Sequence, residues 1–101
     1  MGALAQTRTQ ALIGVGAISC GQYLATRRQG DAEMDNIVSS WAQGFLSGRN
    51  WALLLLSSEP KDHKPRLLPD HQSILAYLDK YCRENPLKVT FQGVDQLFNE
   101  L

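Results

Sequence analysis

Asp31-Ala32-Glu33-Met34-Asp35-Asn36-Ile37-Val38-Ser39-Ser40-Trp41-Ala42-Gln43-Gly44-Phe45-Leu46 is written in helical steps. Met34, Ile37, Val38, Trp41, Phe45 and Leu46 return every three or four residues, which puts them on one apolar face. Asp31 has the short oxygen side chain that caps a helix start. Glu33 and Asp35 follow in the first turn, where the helix dipole favours negative charge. Gly44 and Gly48 stand one turn apart further along. Glycine costs about 1 kcal/mol inside a helix, so this pair predicts a second helix crossing closely at that point.

Working outward, the next stretch is Trp51-Ala52-Leu53-Leu54-Leu55-Leu56, apolar on every side. Two readings stand. The leading one buries the run in the core as a helix end. The other makes Trp51, Leu53, Leu54, Leu55 and Leu56 a surface for a partner, since a small bundle has difficulty hiding six such residues. Residues 57–66, with Pro60 and Pro65, read as a polar loop. Its Lys61, His63 and Lys64 are candidate partner contacts, although Glu59 and Asp62 balance the charge and solvation alone accounts for it.

Upstream, Ser19 caps a helix that runs to Gln29 and ends at Gly30. Downstream, Asp70 caps a helix whose apolar face carries Ile74, Leu75, Leu78 and Cys82, with Tyr77 and Tyr81 along its edge. Asn85-Pro86 is expected to stop that helix and open the next, since proline suits the first helical position. Leu87, Phe91, Val94, Phe98 and Leu101 form the expected face of that last helix, which Gly93 interrupts. No strand alternation or hairpin turn occurs. The class is all-α, a compact bundle of four to five helices.

Composition narrows the function. The chain has 101 residues, 44% apolar and 20% charged, enough for one domain with one core. Ten basic residues offset ten acidic ones, and the pI is about 6.7. Nucleic-acid binding calls for clustered Lys and Arg, and the sparse Arg8, Arg27 and Arg28 do not supply it. No stretch of 18 apolar residues occurs, so no membrane span is expected. Two cysteines and two distant histidines do not make a zinc site, and no nucleotide-binding glycine motif is present. His63 and His71 belong to no nucleophile motif. Glu33, Asp35, Asp79, Asp95 and Glu100 are scattered and read as caps or solvated groups. The expectation is a non-catalytic protein without metal or cofactor.

Cys20 and Cys82 lie far apart, each inside an apolar helical pattern. They fit two reduced core cysteines, which behave as small hydrophobes, and equally a disulfide closing a loop of roughly 60 residues. Near the start, Ala3-Leu4-Ala5 has the small-x-small form left by signal peptidase, and Met1-Gly2 reads as a start added to a processed chain. Ala17-Ile18-Ser19 before Cys20 is a poor lipidation signal. Residues 1–18 are therefore expected to be a processed, partly flexible segment, and residues 19–101 the helical domain.

Three segments carry a resemblance: Ser19-Cys20-Gly21-Gln22-Tyr23-Leu24, Trp41-Ala42-Gln43-Gly44-Phe45-Leu46-Ser47-Gly48-Arg49-Asn50, and Ile74-Leu75-Ala76-Tyr77-Leu78-Asp79-Lys80-Tyr81-Cys82-Arg83-Glu84-Asn85-Pro86-Leu87. Together they resemble small exported bacterial proteins related in layout to the HdeA/HdeB acid-stress chaperones. That resemblance spans about Ser19 to Leu101. It implies a disulfide between Cys20 and Cys82, a periplasmic or secreted location in a Gram-negative bacterium, a dimer at neutral pH, and binding of unfolded clients in acid. The run Trp51–Leu56 and the proline-containing loop depart from that family's pattern. The layout is also similar to the small disulfide-bonded immunity proteins that neutralise secretion-system effectors, which implies the alternative of one dedicated protein partner.

Overall fold

The computed structural model describes residues 12–56 and 65–101. Among the described residues four α-helices follow one another: α1 (Cys20–Gln29), α2 (Ala32–Leu56), α3 (His71–Glu84) and α4 (Thr90–Glu100), with a 3-10 turn at Val15–Ala17 ahead of them. The fold is all-α, and Cys20 and Cys82 form a disulfide with their Cα atoms 4.9 Å apart.

The helix starts follow the expected chemistry. Ser19 Oγ accepts from the Gln22 N–H at 3.0 Å, Asp31 Oδ1 from the Met34 N–H at 3.0 Å, and Asp70 Oδ1 from the Ser73 N–H at 2.9 Å. Each satisfies an N–H that the first helical turn leaves without a partner. Gly30 ends α1 at φ 70°, a left-handed conformation that favours glycine.

Cys20 and Tyr23 of α1, Val38, Ala42 and Leu46 of α2, Ile74, Leu75, Leu78, Tyr81 and Cys82 of α3, and Val94, Leu97 and Phe98 of α4 form one buried core. On α2 most of the expected face does point inward: Val38 and Leu46 are buried together with Ser39 and Ala42, and Met34, Trp41 and Phe45 are half-buried against the core. Ile37 is the exception, 46% exposed.

Several expectations are corrected. No helix of the described chain crosses Gly44 or Gly48, where an added Cβ would meet nothing within 4 Å. The close approaches occur at other glycines. A Cβ at Gly93 would lie 2.8 Å from Leu78 Cδ2 and from Tyr81 Cδ2, so this glycine sets how tightly α4 packs on α3. A Cβ at Gly16 would run into the Trp41 indole.

The last helix begins at Thr90 and not at Pro86. Residues 86–88 form a turn in which Leu87 is 97% exposed, and Leu101 is partly exposed. The Val89 N–H donates to Gln92 Oε1 at 3.0 Å, which anchors the start of α4. Its buried face is Thr90, Gly93, Val94, Leu97 and Phe98, with Phe91 half-buried.

Residues 13–18, expected to lie outside the domain, pack on it. The Cys20 N–H donates to the Lys88 carbonyl at 2.8 Å and the Thr90 N–H to the Ile18 carbonyl at 3.0 Å, a two-bond antiparallel tie between Ser19 and Val89. The buried Thr90 hydroxyl lies 2.8 Å from the Val15 carbonyl and 2.9 Å from that of Gly16. The Trp41 indole N–H donates to the Ile13 carbonyl at 2.8 Å. These bonds fasten the segment before α1 to both α2 and α4.

Candidate protein-interaction surface

The last turns of α2 run past the body of the bundle. Trp51 is 60% exposed, Leu55 63% and Leu56 85%, with Leu54 also exposed. The expected burial of this run is therefore overturned. Of the run, Leu53 packs against the core, half-buried, with Ala52 half-buried beside it. The physical reason is length. A helix of 25 residues extends roughly 37 Å, while α3 and α4, at 14 and 11 residues, are shorter and leave its end uncovered.

A specific contact marks where the body stops. Asn50 Nδ2 donates to the Arg66 carbonyl and Asn50 Oδ1 accepts from the Arg66 N–H, both at 2.9 Å. This side-chain amide mimics a backbone pair and ties α2 to residue 66, ahead of α3. Beneath it, the guanidinium carbons of Arg49 and Arg66 lie 4.3 and 4.8 Å from the Phe98 ring centroid, a double cation–π contact on a buried aromatic. Arg49 is held in turn by an ion pair with Asp95. Lys61, His63 and Lys64, the remaining candidate contacts, lie outside the described residues.

Along the same helix, Trp41 stacks on Phe45 with ring centroids 5.4 Å apart. Trp41 and Ile37 from α2, Ser40 beside them, and Gly14 and Val15 from the preceding segment line an open, mostly apolar groove of about 590 Å3. Glu33 and Asn36 stand at its rim. The periodicity predicts both Trp41 and Ile37 facing the core; Trp41 packs against it, half-buried, while Ile37 is exposed. The groove exists because residues 13–17 lie beside them instead of a helix.

A charged network links α1 to α2 and α3. Arg27 Nε and Nη2 donate to the two oxygens of Asp79, each at 2.9 Å, and Arg27 Nη1 donates to Asp35 Oδ2 at 2.9 Å. The Tyr23 hydroxyl donates to Asp79 Oδ1 at 2.9 Å, with the Leu75 carbonyl 3.2 Å away as a second acceptor. Asp35, Asp79 and Asp95 are thus structural partners rather than the solvated groups the sequence suggests. Glu100 likewise accepts from the Tyr77 hydroxyl at 2.8 Å. The hydrogen bond to Asp79 raises the Arg27 pKa above its ordinary range. Burial, and then the bond to Asp79, raises that of Tyr23. A cation saturated by two carboxylates and a phenol held neutral hold α1 to α2 and α3; neither is poised for proton transfer at neutral pH.

The unfolded chain releases the Tyr23 proton near pH 10 and the folded chain keeps it, so above that pH the unfolded state binds fewer protons. The stabilisation is complete below the unfolded value and is lost as pH rises through it, by up to about 1.4 kcal/mol per pH unit. Urea unfolding at about pH 9 and about pH 11 is expected to show this loss in the parent chain. Tyr23→Phe should flatten it, while Tyr77→Phe, which alters a more exposed phenol, should leave most of it. An equal slope in the Tyr23 variant would remove Tyr23 as the source.

Among the described residues, no group of three or more His, Cys, Asp or Glu is placed to hold a metal ion, and no helix is long and apolar enough to cross a membrane. A scan of the chain against protein-family models finds no match, and searches of curated proteins and of solved structures find none either.

Proposed function

We propose that this chain is a non-catalytic, exported binding protein of HdeA-like architecture that holds unfolded clients in acid. The observation that carries the reading is the uncovered apolar outer side of α2, with Ile37 at one end and Trp51, Leu54, Leu55 and Leu56 at the other. Contiguous exposed apolar surface on a small protein marks a place where other chains bind. The disulfide supports export, because such bonds persist in oxidising compartments.

The ties between elements give acid a point of action. Arg27–Asp79, Arg27–Asp35 and Arg49–Asp95 all depend on ionised carboxylates. In strong acid the ten carboxylates take up protons while the basic groups stay charged, so the ties weaken and the molecule repels itself. The covalent bond between α1 and α3 keeps those helices together throughout.

The deciding experiment measures aggregation of an acid-sensitive client at about pH 2–3 and at pH 7, with light scattering on the same samples. Protection in acid alone supports the reading; no protection by a chain that stays folded in acid overturns it. The pairing of Asn50 with Arg66 favours a second reading, in which residues 57–66 are inserted into one dedicated protein partner. That version calls for a single stoichiometric complex at neutral pH, weakened when the pairing is removed by Asn50→Ala.

A further inference from the structure

The outer side of α2 has an order that its exposure alone does not explain. Ile37, Trp41, Gly44, Gly48, Trp51 and Leu55 succeed one another at steps of four, three, four, three and four, the spacing that keeps one stripe facing a partner helix. All are exposed except Trp41, which is half-buried. The stripe also reads alike from both ends. About position 46, Gly44 and Gly48 lie two residues out, Trp41 and Trp51 five, and Ile37 and Leu55 nine.

We propose that this stripe is the contact between two copies of the chain, with their α2 helices packed antiparallel across the glycines. In that register Ile37 of each copy meets Leu55 of the other, Trp41 meets Trp51, and Gly44 meets Gly48. The same patch serves both subunits, as a two-fold interface requires.

Shape argues for this occupant and this direction. One end of the stripe is the apolar groove of about 590 Å3 beside Ile37 and Trp41; the other end is the protruding pair Trp51 and Leu55. Antiparallel pairing brings each protruding end onto the groove of the other copy. A parallel pair would set Trp51 against Trp51 and leave both grooves uncovered. The glycines permit a close crossing, since nothing of the chain itself lies within 4 Å of a Cβ at either position.

Charge and area agree. From Asn36 to Leu56 the only charged residue is Arg49, and it is paired with Asp95. Loss of charge at the centre of a patch is the compositional mark of an interface. Covering Ile37, Trp41, Trp51, Leu54, Leu55 and the glycine stretch removes on the order of 600 Å2 per copy, or about 1,200 Å2 for the pair, the lower edge of stable specific interfaces. Antiparallel helices also set opposite dipole ends side by side.

The inference deepens the binding role proposed for this side of α2, yet its test reads self-association and not client protection, so either can fail alone. Sedimentation of the full chain at neutral pH should show a dimer. Ile37→Lys and Leu55→Glu alter exposed side chains and should each weaken it by roughly 30-fold or more, with the helical spectrum retained. Combining I37K with L55E should restore the dimer, because the new Lys of one copy then faces the new Glu of the other. A monomeric parent chain, or single variants that dimerise as the parent does, would overturn the interface. Singles that dissociate with a double variant that stays monomeric would overturn the antiparallel register.

Discussion

Replacing Cys20 and Cys82 together by alanine is expected to lower the unfolding free energy by about 4 kcal/mol and the thermal midpoint by about 20 °C. The bond joins residues 62 apart, so in the chain-entropy view it removes much of the freedom of the unfolded state. Both cysteines are fully buried in the core, and alanine fills most of the space each leaves. Against a typical total of about 5–15 kcal/mol, a loss of this size brings the chain close to unfolding at body temperature. Urea titration of the parent and the double variant, and of the parent with reductant, measures it. Agreement between the variant and the reduced parent would assign the loss to the cross-link itself. A loss below about 1 kcal/mol would mean that packing around Tyr23 and the Arg27 network holds α1 without it.

Phe98→Ala should cost about as much, near 4 kcal/mol, for a different reason. The ring is fully buried, and its removal opens a cavity between α2, α3 and α4. It also strips Arg49 and Arg66 of the surface on which both guanidiniums rest. Phe98→Leu separates the two effects. It keeps most of the volume, so its expected loss is about 1–2 kcal/mol, drawn from the cation–π contacts and imperfect filling. Amide hydrogen exchange at Arg66, whose N–H is held by Asn50, should accelerate in both variants beyond what global unfolding accounts for. Equal losses in the two variants would show that the guanidinium contacts, and not the cavity, dominate.

The helix boundaries were legible because their determinants are local. Ser19, Asp31 and Asp70 cap their own helices, and Gly30 stops α1, with every partner within four residues. Asn85-Pro86 misled for a related reason. A proline can open a helix, but here the chain is first drawn out to pair Val89 with Ser19, a contact across 70 residues that no local rule contains. The spacing of Gly44 and Gly48 predicts a close approach inside the fold; the structure leaves both on the outside. The periodicity around Trp41 located the inward face, with Val38 and Leu46 buried and Met34, Trp41 and Phe45 packed against the core. It did not show that Ile37, at the margin of that face, would be left exposed, because what covers a margin depends on what the rest of the chain supplies. The Arg27–Asp79 pair was invisible for a like reason, its members standing 52 positions apart.

The tie between residues 18–20 and 88–90 also fixes an order of events. Ile18, Ser19 and Cys20 find their backbone partners in Lys88, Val89 and Thr90, and Cys20 finds its sulfur partner in Cys82. During synthesis, the early helices emerge before the backbone partners and the thiol that complete them. Neither the covalent bond nor the backbone clasp forms until residue 90 has arrived, so closure is a late event that joins residues 18–20 to residues 82–90. Until then this stretch stays open enough to be threaded through a narrow passage, and once closed it is a fastened loop that resists such threading.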